Sequence, residues 1–411
     1  MKKRIKGISS ENILMIVLAF MSLSTGIWSK YRQLWLQDVG YSISGISKIL
    51  SVALICSSVL AFIISFFSSK IKVKNIVVLS LILRTFSLLV LPFTMNDFII
   101  KTCTLLCIMC EVIFSISYYP LLSFETRSNR AYKKKLLIDY LFKDIGVVAC
   151  GLLLGVSLGN YVFDYYGCLI ISAICSLLSM FFLLFQKSNE ENFKKSDSFI
   201  ISIKEIFKSK VNSVFLSNQL LGYIAYGTIF DLMMLILTNY IGFDVAFTSI
   251  FIIVSNMFGT FFSFIFSKIS KKYSVSLSAF IKYGTRGIIY LIAFLINKNI
   301  MFIFAIIYGF IMSRVLEDKV TGTFVEMIDE KNQFLFGNIR YFIMSLGEGI
   351  GAYLAGILLS NSLKVLFLGA GIVTLLHTFV CFYLSHLKNE LENSWFLDKY
   401  IVLLNGSLFR V

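Results

Sequence analysis

The chain has 411 residues, of which 57% are hydrophobic, 16% aromatic and only 15% charged, with two prolines. A soluble domain of this length carries about 25% charge, so the composition is that of a membrane protein. The formal net charge of +15 invites a nucleic-acid reading, which is tested below by where the charge sits.

Apolar runs long enough to cross a bilayer, on the order of 20 residues each, recur along nearly the whole sequence. Twelve are expected, at 12–36, 43–68, 75–95, 98–124, 136–160, 167–186, 213–240, 246–267, 274–297, 299–327, 333–360 and 363–386. They are expected to be helices, because each segment in hydrocarbon must satisfy its own backbone hydrogen bonds and the ten-residue alternation of a barrel strand is absent. The basic Met1–Lys6 segment leads into a full span without a small-residue cleavage site, so span 1 is expected to stay in the chain.

Lysine and arginine cluster in alternate loops: Lys2 to Lys6 before span 1, Lys70 to Lys74 after span 2, Arg127 to Lys135 after span 4, Lys187 to Lys210 after span 6 and Lys268 to Lys272 after span 8. That asymmetry places both termini in the cytoplasm and accounts for the basicity without nucleic acid. Eight cysteines fall almost entirely within spans. Cys103, Cys107 and Cys110 share a helix face without a histidine nearby, and are read as small packing residues rather than metal ligands.

The polar stretch Gln186–Asn212 divides six spans from six. The expected organisation is a first six-helix bundle at 1–186, a linker at 187–212 whose residues 199–210 could form a surface helix, a second bundle at 213–388 and a cytoplasmic or interfacial tail at 389–411. Features recur at an offset near 200 residues: LWLQDVGYS around Gly40 with LILTNYIGFD around Gly242, SSKIKVK with FSKISKK, Arg84 with Lys282, and Gly146 and Gly155 with Gly347 and Gly356. Two parallel six-helix repeats follow.

With QDVGYSISGISKILS leading into span 2 and basic loops after spans 2 and 8, this architecture resembles the major facilitator superfamily of secondary transporters, over about residues 8–388. The family's acid and glycines after span 2 are missing: SFFSSKIKVKN carries Ser69 where the acid should stand. The resemblance implies alternating access to a cavity lined by spans 1, 4, 7 and 10, with no cofactor and no metal. GVVACGLLLGVSLG at 146–159 resembles the family's glycine-spaced antiporter helix, without its proline, and favours export over import; close packing through small-xxx-small spacing explains it equally.

Ionisable residues at bilayer depth are functional candidates by default. Glu111 and Arg84, at similar depth on antiparallel spans, could pair, and Glu111 is the first choice for the proton-binding carboxylate; a permanent structural ion pair is the alternative. Asp231, Arg314, Glu317, Asp318 and Glu348 are further cavity or coupling candidates, with Lys282 level with Glu317 and Asp318. Lys30 and Arg32, at the outer end of span 1, could close an outer gate on Asp231, or snorkel to headgroups. Asp139, Lys143, Asp144 and Arg340 could form an inner gate or a solvated helix end. Tyr118, Tyr119, Tyr223 and Tyr226 are candidates for stacking on a substrate.

No catalytic constellation and no GxxxxGK[ST] segment occurs, so an ion gradient is the expected energy source. A membrane-embedded enzyme and a membrane scaffold are the competing classes. The expected activity is proton-coupled export of a small amphipathic compound by a monomer in a bacterial plasma membrane, with proton-coupled uptake of a nutrient such as a nucleoside or oligosaccharide as the alternative.

Overall fold

The computed structural model describes residues 10–67, 73–126, 138–139, 141–151, 165–186, 204, 206–269, 272–316, 319–320 and 333–407. Among them the chain is helical, and the helices follow the twelve expected spans: α1 (Ser10–Asp38), α2 (Ile43–Phe67), α3 (Val73–Val90), α4 (Asp97–Thr126), α5 (141–151), α6 (Tyr165–Phe185), α7 (Lys210–Phe230), α8 (Val245–Ile269), α9 (Val275–Ala279 continuing through Ile296), α10 (Asn299–Arg314), α11 (Gln333–Asn361) and α12 (Leu363–Ser407). Ten are long and apolar enough to span a membrane, and α10 is a shorter apolar helix. Phenylalanine, leucine and isoleucine cover the outside, as at Phe86, Phe261, Phe379 and Leu295. In water such a surface would aggregate; in lipid it is the solvent-compatible face.

Helix packing reproduces the repeat. In the first half α1 lies on α6, α2 on α4, and α3 on both α4 and α6; in the second, α7 lies on α11 and α12, α8 on α10, and α9 on α12. The halves meet along α2 and α11. The two turns that match in sequence also match in backbone: Gly40 at φ +107 and Gly242 at φ +86 occupy the left-handed region that a side chain resists. On either side of the dyad, Gln37 of α1 accepts a hydrogen bond from Asn239 beyond α7 at 2.9 Å. Ser47 of α2 donates to the Ala352 carbonyl of α11 at 2.6 Å, while its repeat partner Ser249 of α8 sits against Gly151 of α5 and the Tyr31 hydroxyl. The end of the molecule carrying the α1–α2 and α7–α8 turns is thereby closed between the bundles.

Three helices depart from the expected spans, each where a polar side chain sits deep. The helical path of span 7 breaks at Asp231–Leu232 and resumes as Met233–Leu235 and a π-turn, Ile236–Tyr240. Span 9 carries a π-turn at Phe280–Gly284 around the buried Lys282. Span 10 is interrupted: α10 stops at Arg314, followed by Val315 in extended conformation and Leu316 at φ +61; helical backbone recurs at 319–320, and the rest of the stretch expected to reach 327 lies outside the described residues. Lys282 explains how that stop is tolerated: its ammonium donates to the Ser313 and Val315 carbonyls at 3.0 and 2.9 Å, satisfying carbonyls that a helix end leaves open. Glu317 and Asp318, with which Lys282 was expected to lie level, are outside the described residues.

The tail also differs. Asn405-Gly406 does not interrupt it, and α12 runs through Ser407 as one helix of 45 residues. Of the expected surface helix at 199–210, residues 204 and 206–208 are helical, and 199–203 and 205 lie outside the described residues.

Candidate transport site

Seven helices contribute eight buried or partly buried ionisable side chains, in three groups. Arg84 of α3 is fully buried and its guanidinium meets Glu111 of α4 at 3.3 Å, the Cys107 carbonyl at 3.3 Å, and Ser24 and Thr25 of α1 at 3.4 and 3.5 Å. The Glu111 side chain is 21% exposed. The pair expected from antiparallel depth therefore forms, and it ties α1, α3 and α4 of one bundle together.

Asp231 is the centre of a second group. It is 7% exposed, sits at the break of α7, and its carbonyl accepts from the Gln33 amide of α1. Its Oδ2 has no donor among the described residues. Beside it stands another acid: Glu348 of α11, whose backbone carbonyl, like the Asp231 carboxylate, lies against Gly227. Small residues make this possible. A Cβ on Gly227 would lie 2.5 Å from the Glu348 carbonyl and 3.2 Å from Asp231 Oδ2, and one on Gly351 would lie 2.4 Å from the Ile224 carbonyl, so α7 and α11 touch backbone to backbone beside the two acids. A proton on one of two neighbouring carboxyls relieves the like-charge repulsion between them.

Arg32 and Lys30 of α1 supply the nearby positive charge. Arg32 is 7% exposed and lies six residues inside the end of α1, so the expected headgroup position is corrected: these cations are inside the protein. Asp231, expected to close an outer gate with Lys30 and Arg32, makes no ion pair with either among the described residues; its backbone carbonyl is held by Gln33 of α1, and Glu348, read from sequence only as a reserve coupling site, lies on the helix that crosses beside it.

A third group joins the halves. Arg314, at the end of α10, reaches Asp144 of α5 at 3.5 Å, the Asn256 carbonyl of α8 at 3.3 Å and the Thr260 hydroxyl at 2.7 Å, and the Asn256 amide donates to Asp144 at 3.0 Å. The negative end of the α10 dipole favours a cation there. The four residues expected at an inner gate are split by this arrangement. Asp139 and Lys143 pair at 2.9 Å within the first bundle, with Ser22 donating to Asp139 at 2.6 Å; Asp144 turns to Arg314; Arg340 binds Gln219 at 2.9 Å in the second bundle.

The tyrosines divide as well. Tyr118 donates to the Leu14 carbonyl and stacks on Phe114 at 4.8 Å, fully buried between α1 and α4, so it packs the bundle rather than facing a cavity. The Tyr119 side chain lies outside the described residues. Tyr223 and Tyr226 are half-buried on α7 with rings 6.1 Å apart, and Tyr226 stacks on Phe230 at 4.9 Å, one residue before Asp231. They extend an aromatic face toward the acid pair. Gln33, Asn256, Gly227 and Gly351 were not singled out from sequence; a lone amide inside an apolar run, and small residues spaced beside an acid, were the signals.

The family model described as Major Facilitator Superfamily matches residues 9–316. No curated protein matches the chain. Among solved structures, the nucleoside transporter NupG is similar at 13% identity and TM-score 0.66, over 92% of this chain and 99% of that one. A bacterial homolog of the human lysosomal transporter Spinster is similar at 12% identity and TM-score 0.69, over 92% and 96%. A POT family transporter solved with 5-aminolevulinic acid is similar at 13% identity and TM-score 0.69, over 93% and 98%. At such identities the likeness establishes the fold. The chain belongs to the Major Facilitator Superfamily and is a multi-pass secondary transporter rather than an enzyme.

Proposed function

We propose that this transporter is driven by protons and that the coupling proton is held by the Asp231–Glu348 pair, in place of Glu111, the residue expected from sequence. The placing of two acids, Asp231 of α7 and Glu348 of α11, against Gly227 where the two helices cross supports this reading; Glu111 is already committed to Arg84. Loss of the shared proton would set two like charges against each other at the crossing of α7 and α11, beside Arg32, and this repulsion gives the bundle interface two arrangements to rock between. With both termini in the cytoplasm of a bacterial plasma membrane, the closed end described above faces outward.

The solute we propose is small and amphipathic, its apolar body on Tyr223 and Tyr226. Uptake with a proton requires solute and proton to bind together; export against a proton requires them to compete. The two cations beside one acid pair favour the first. A second reading, export, is supported by the glycines of α5, since Gly146 seats on α1 and Gly151 on Ser249 of α8, an interface seal of the kind the antiporter helix provides.

Vesicles carrying an imposed pH gradient and a pH-reporting dye test both. In inverted vesicles, acid inside, a pool of compounds added outside that collapses the gradient in wild type but not in Glu348→Gln supports proton-coupled export. Collapse only when the pool is preloaded supports uptake. A gradient insensitive to every pool in both arrangements would count against proton coupling.

A further inference from the structure

A cavity of about 10 Å³, on the order of one water molecule in size, lies between α1 and α6. Trp28, Tyr31, Arg32 and Trp35 line it on α1, and Tyr165 and Cys168 on α6. The two indoles lean toward each other along α1, with ring centroids 6.1 Å apart. Trp28 and Trp35 are each 2% exposed and Arg32 7%. Both indole Nε1 groups and the Arg32 Nε have no acceptor among the described residues, and the Arg32 guanidinium makes no ion pair there. The Tyr31 hydroxyl is already engaged, donating to the Val147 carbonyl of α5 at 2.6 Å and meeting the Ser249 hydroxyl of α8 at 2.6 Å. Among the described residues no carboxylate or carboxamide lines this cavity. Arginine and tryptophan side chains only donate. A water placed here could accept from two such groups, but its own hydrogens would then need acceptors that the wall does not supply. A monatomic anion has no hydrogens to place, accepts from any direction and neutralises a buried guanidinium whose charge is otherwise costly. A carboxylate, planar and carrying the rest of its molecule behind it, exceeds the space.

We propose that this cavity is a site for one halide ion, such as chloride, bound by Arg32 and by the indole N–H groups of Trp28 and Trp35. Tyr31 stands between these residues in the chain and carries the contacts from α1 to α5 and α8, so a bound ion braces α1 at the place where it joins the two bundles. The site makes no use of the proton on the Asp231–Glu348 pair and stands or falls without it.

Purified full-length protein in detergent, exchanged into sodium gluconate, supplies the test. Sodium chloride is titrated in at constant ionic strength while tryptophan fluorescence and the binding of radioactive chloride are followed. The expected result is one saturable site, with a rise in melting temperature that tracks its occupancy. Arg32→Gln weakens it by about tenfold to a hundredfold, the loss of a charge-assisted hydrogen bond, and Arg32→Lys restores part of it. Trp28→Phe and Trp35→Phe keep an aromatic ring and remove one neutral donor each, and each weakens binding by about threefold to tenfold. Melting curves for every variant separate loss of binding from loss of fold, and the two phenylalanine variants decide the matter if Arg32→Gln does not fold. Chloride that acts no differently from gluconate, affinity unchanged in all of these variants, or tighter binding of acetate than of chloride overturns the proposal. So does chloride binding that appears only in Asp231→Asn, since Arg32 would then be neutralised by that carboxylate in the wild type.

Discussion

Replacing Glu111 by Gln separates a structural ion pair from a coupling site. At 3.3 Å the Arg84–Glu111 attraction is on the order of 5 kcal/mol at an effective dielectric near 20, set against the cost of burying both charges. Removing one partner of a buried pair costs about 3–5 kcal/mol, because the other charge is stranded. Arg84 is fully buried and keeps only the Cys107 carbonyl, Ser24 and Thr25 as neutral acceptors; a glutamine at 111 still accepts from it, so the expected loss is about 3 kcal/mol. Arg84→Met strands a carboxyl that is partly exposed and can take up water or a proton, and should cost less, about 2 kcal/mol. The double variant strands nothing. It should be less destabilised than the sum of the two by roughly 2 kcal/mol, read as a double-mutant cycle from unfolding in mixed micelles followed by circular dichroism. Proton-dependent transport should survive in folded Glu111→Gln. Additive losses, or a fully stable Glu111→Gln that has lost proton dependence, would refute the structural assignment and return Glu111 to the coupling path.

Three further outcomes follow from the same contacts. Gly351→Val pushes a side chain into the Ile224 carbonyl, 2.4 Å from where its Cβ would stand, and should destabilise by about 1–3 kcal/mol through overpacking; a melting curve checks it, and Gly337→Ala, where a Cβ meets nothing within 4 Å, is the neutral control. Asp144→Asn breaks the tie of α5 to Arg314 while sparing an acceptor for Asn256, and amide exchange in α5 and α8 should rise several-fold if this contact holds the bundles together. Lys282→Met strips the Ser313 and Val315 carbonyls of their donor, costing about 1–3 kcal/mol for the unsatisfied groups and loosening the end of α10 by the same exchange measurement.

Much of this architecture is legible in the sequence because lipid imposes a simple rule: apolar runs of bilayer length must be helices, and their number and the basic loops between them follow directly. The repeat was legible too, through Gly40 and Gly242, which share a backbone conformation that few other residues adopt. Arg84 and Glu111 could be paired from depth alone, since α3 and α4 are adjacent and antiparallel. What periodicity does not carry is where a helix breaks. The stop of α10 at Arg314 depends on Lys282 reaching from another helix, and the break at Asp231 lies inside the uninterrupted apolar run FDLMMLIL. Nor can depth alone choose between partners at the same level: Asp231 was matched to Lys30 and Arg32, with neither of which it forms an ion pair among the described residues, while the crossing of α7 and α11 that brings Glu348 beside it is set by Gly227 and Gly351, residues whose effect is on backbone distance. Tyr118 illustrates the reverse error, an aromatic on a cavity-lining helix that turns its ring into the bundle to reach the Leu14 carbonyl.

The central claim is that one proton resides on the Asp231–Glu348 pair, and the most direct test is to count it. Purified protein in lightly buffered detergent solution, titrated with a pH dye, should take up one proton in wild type and in Glu111→Gln that is missing in both Asp231→Asn and Glu348→Gln. A proton missing from Glu111→Gln and retained in the other two would contradict the account.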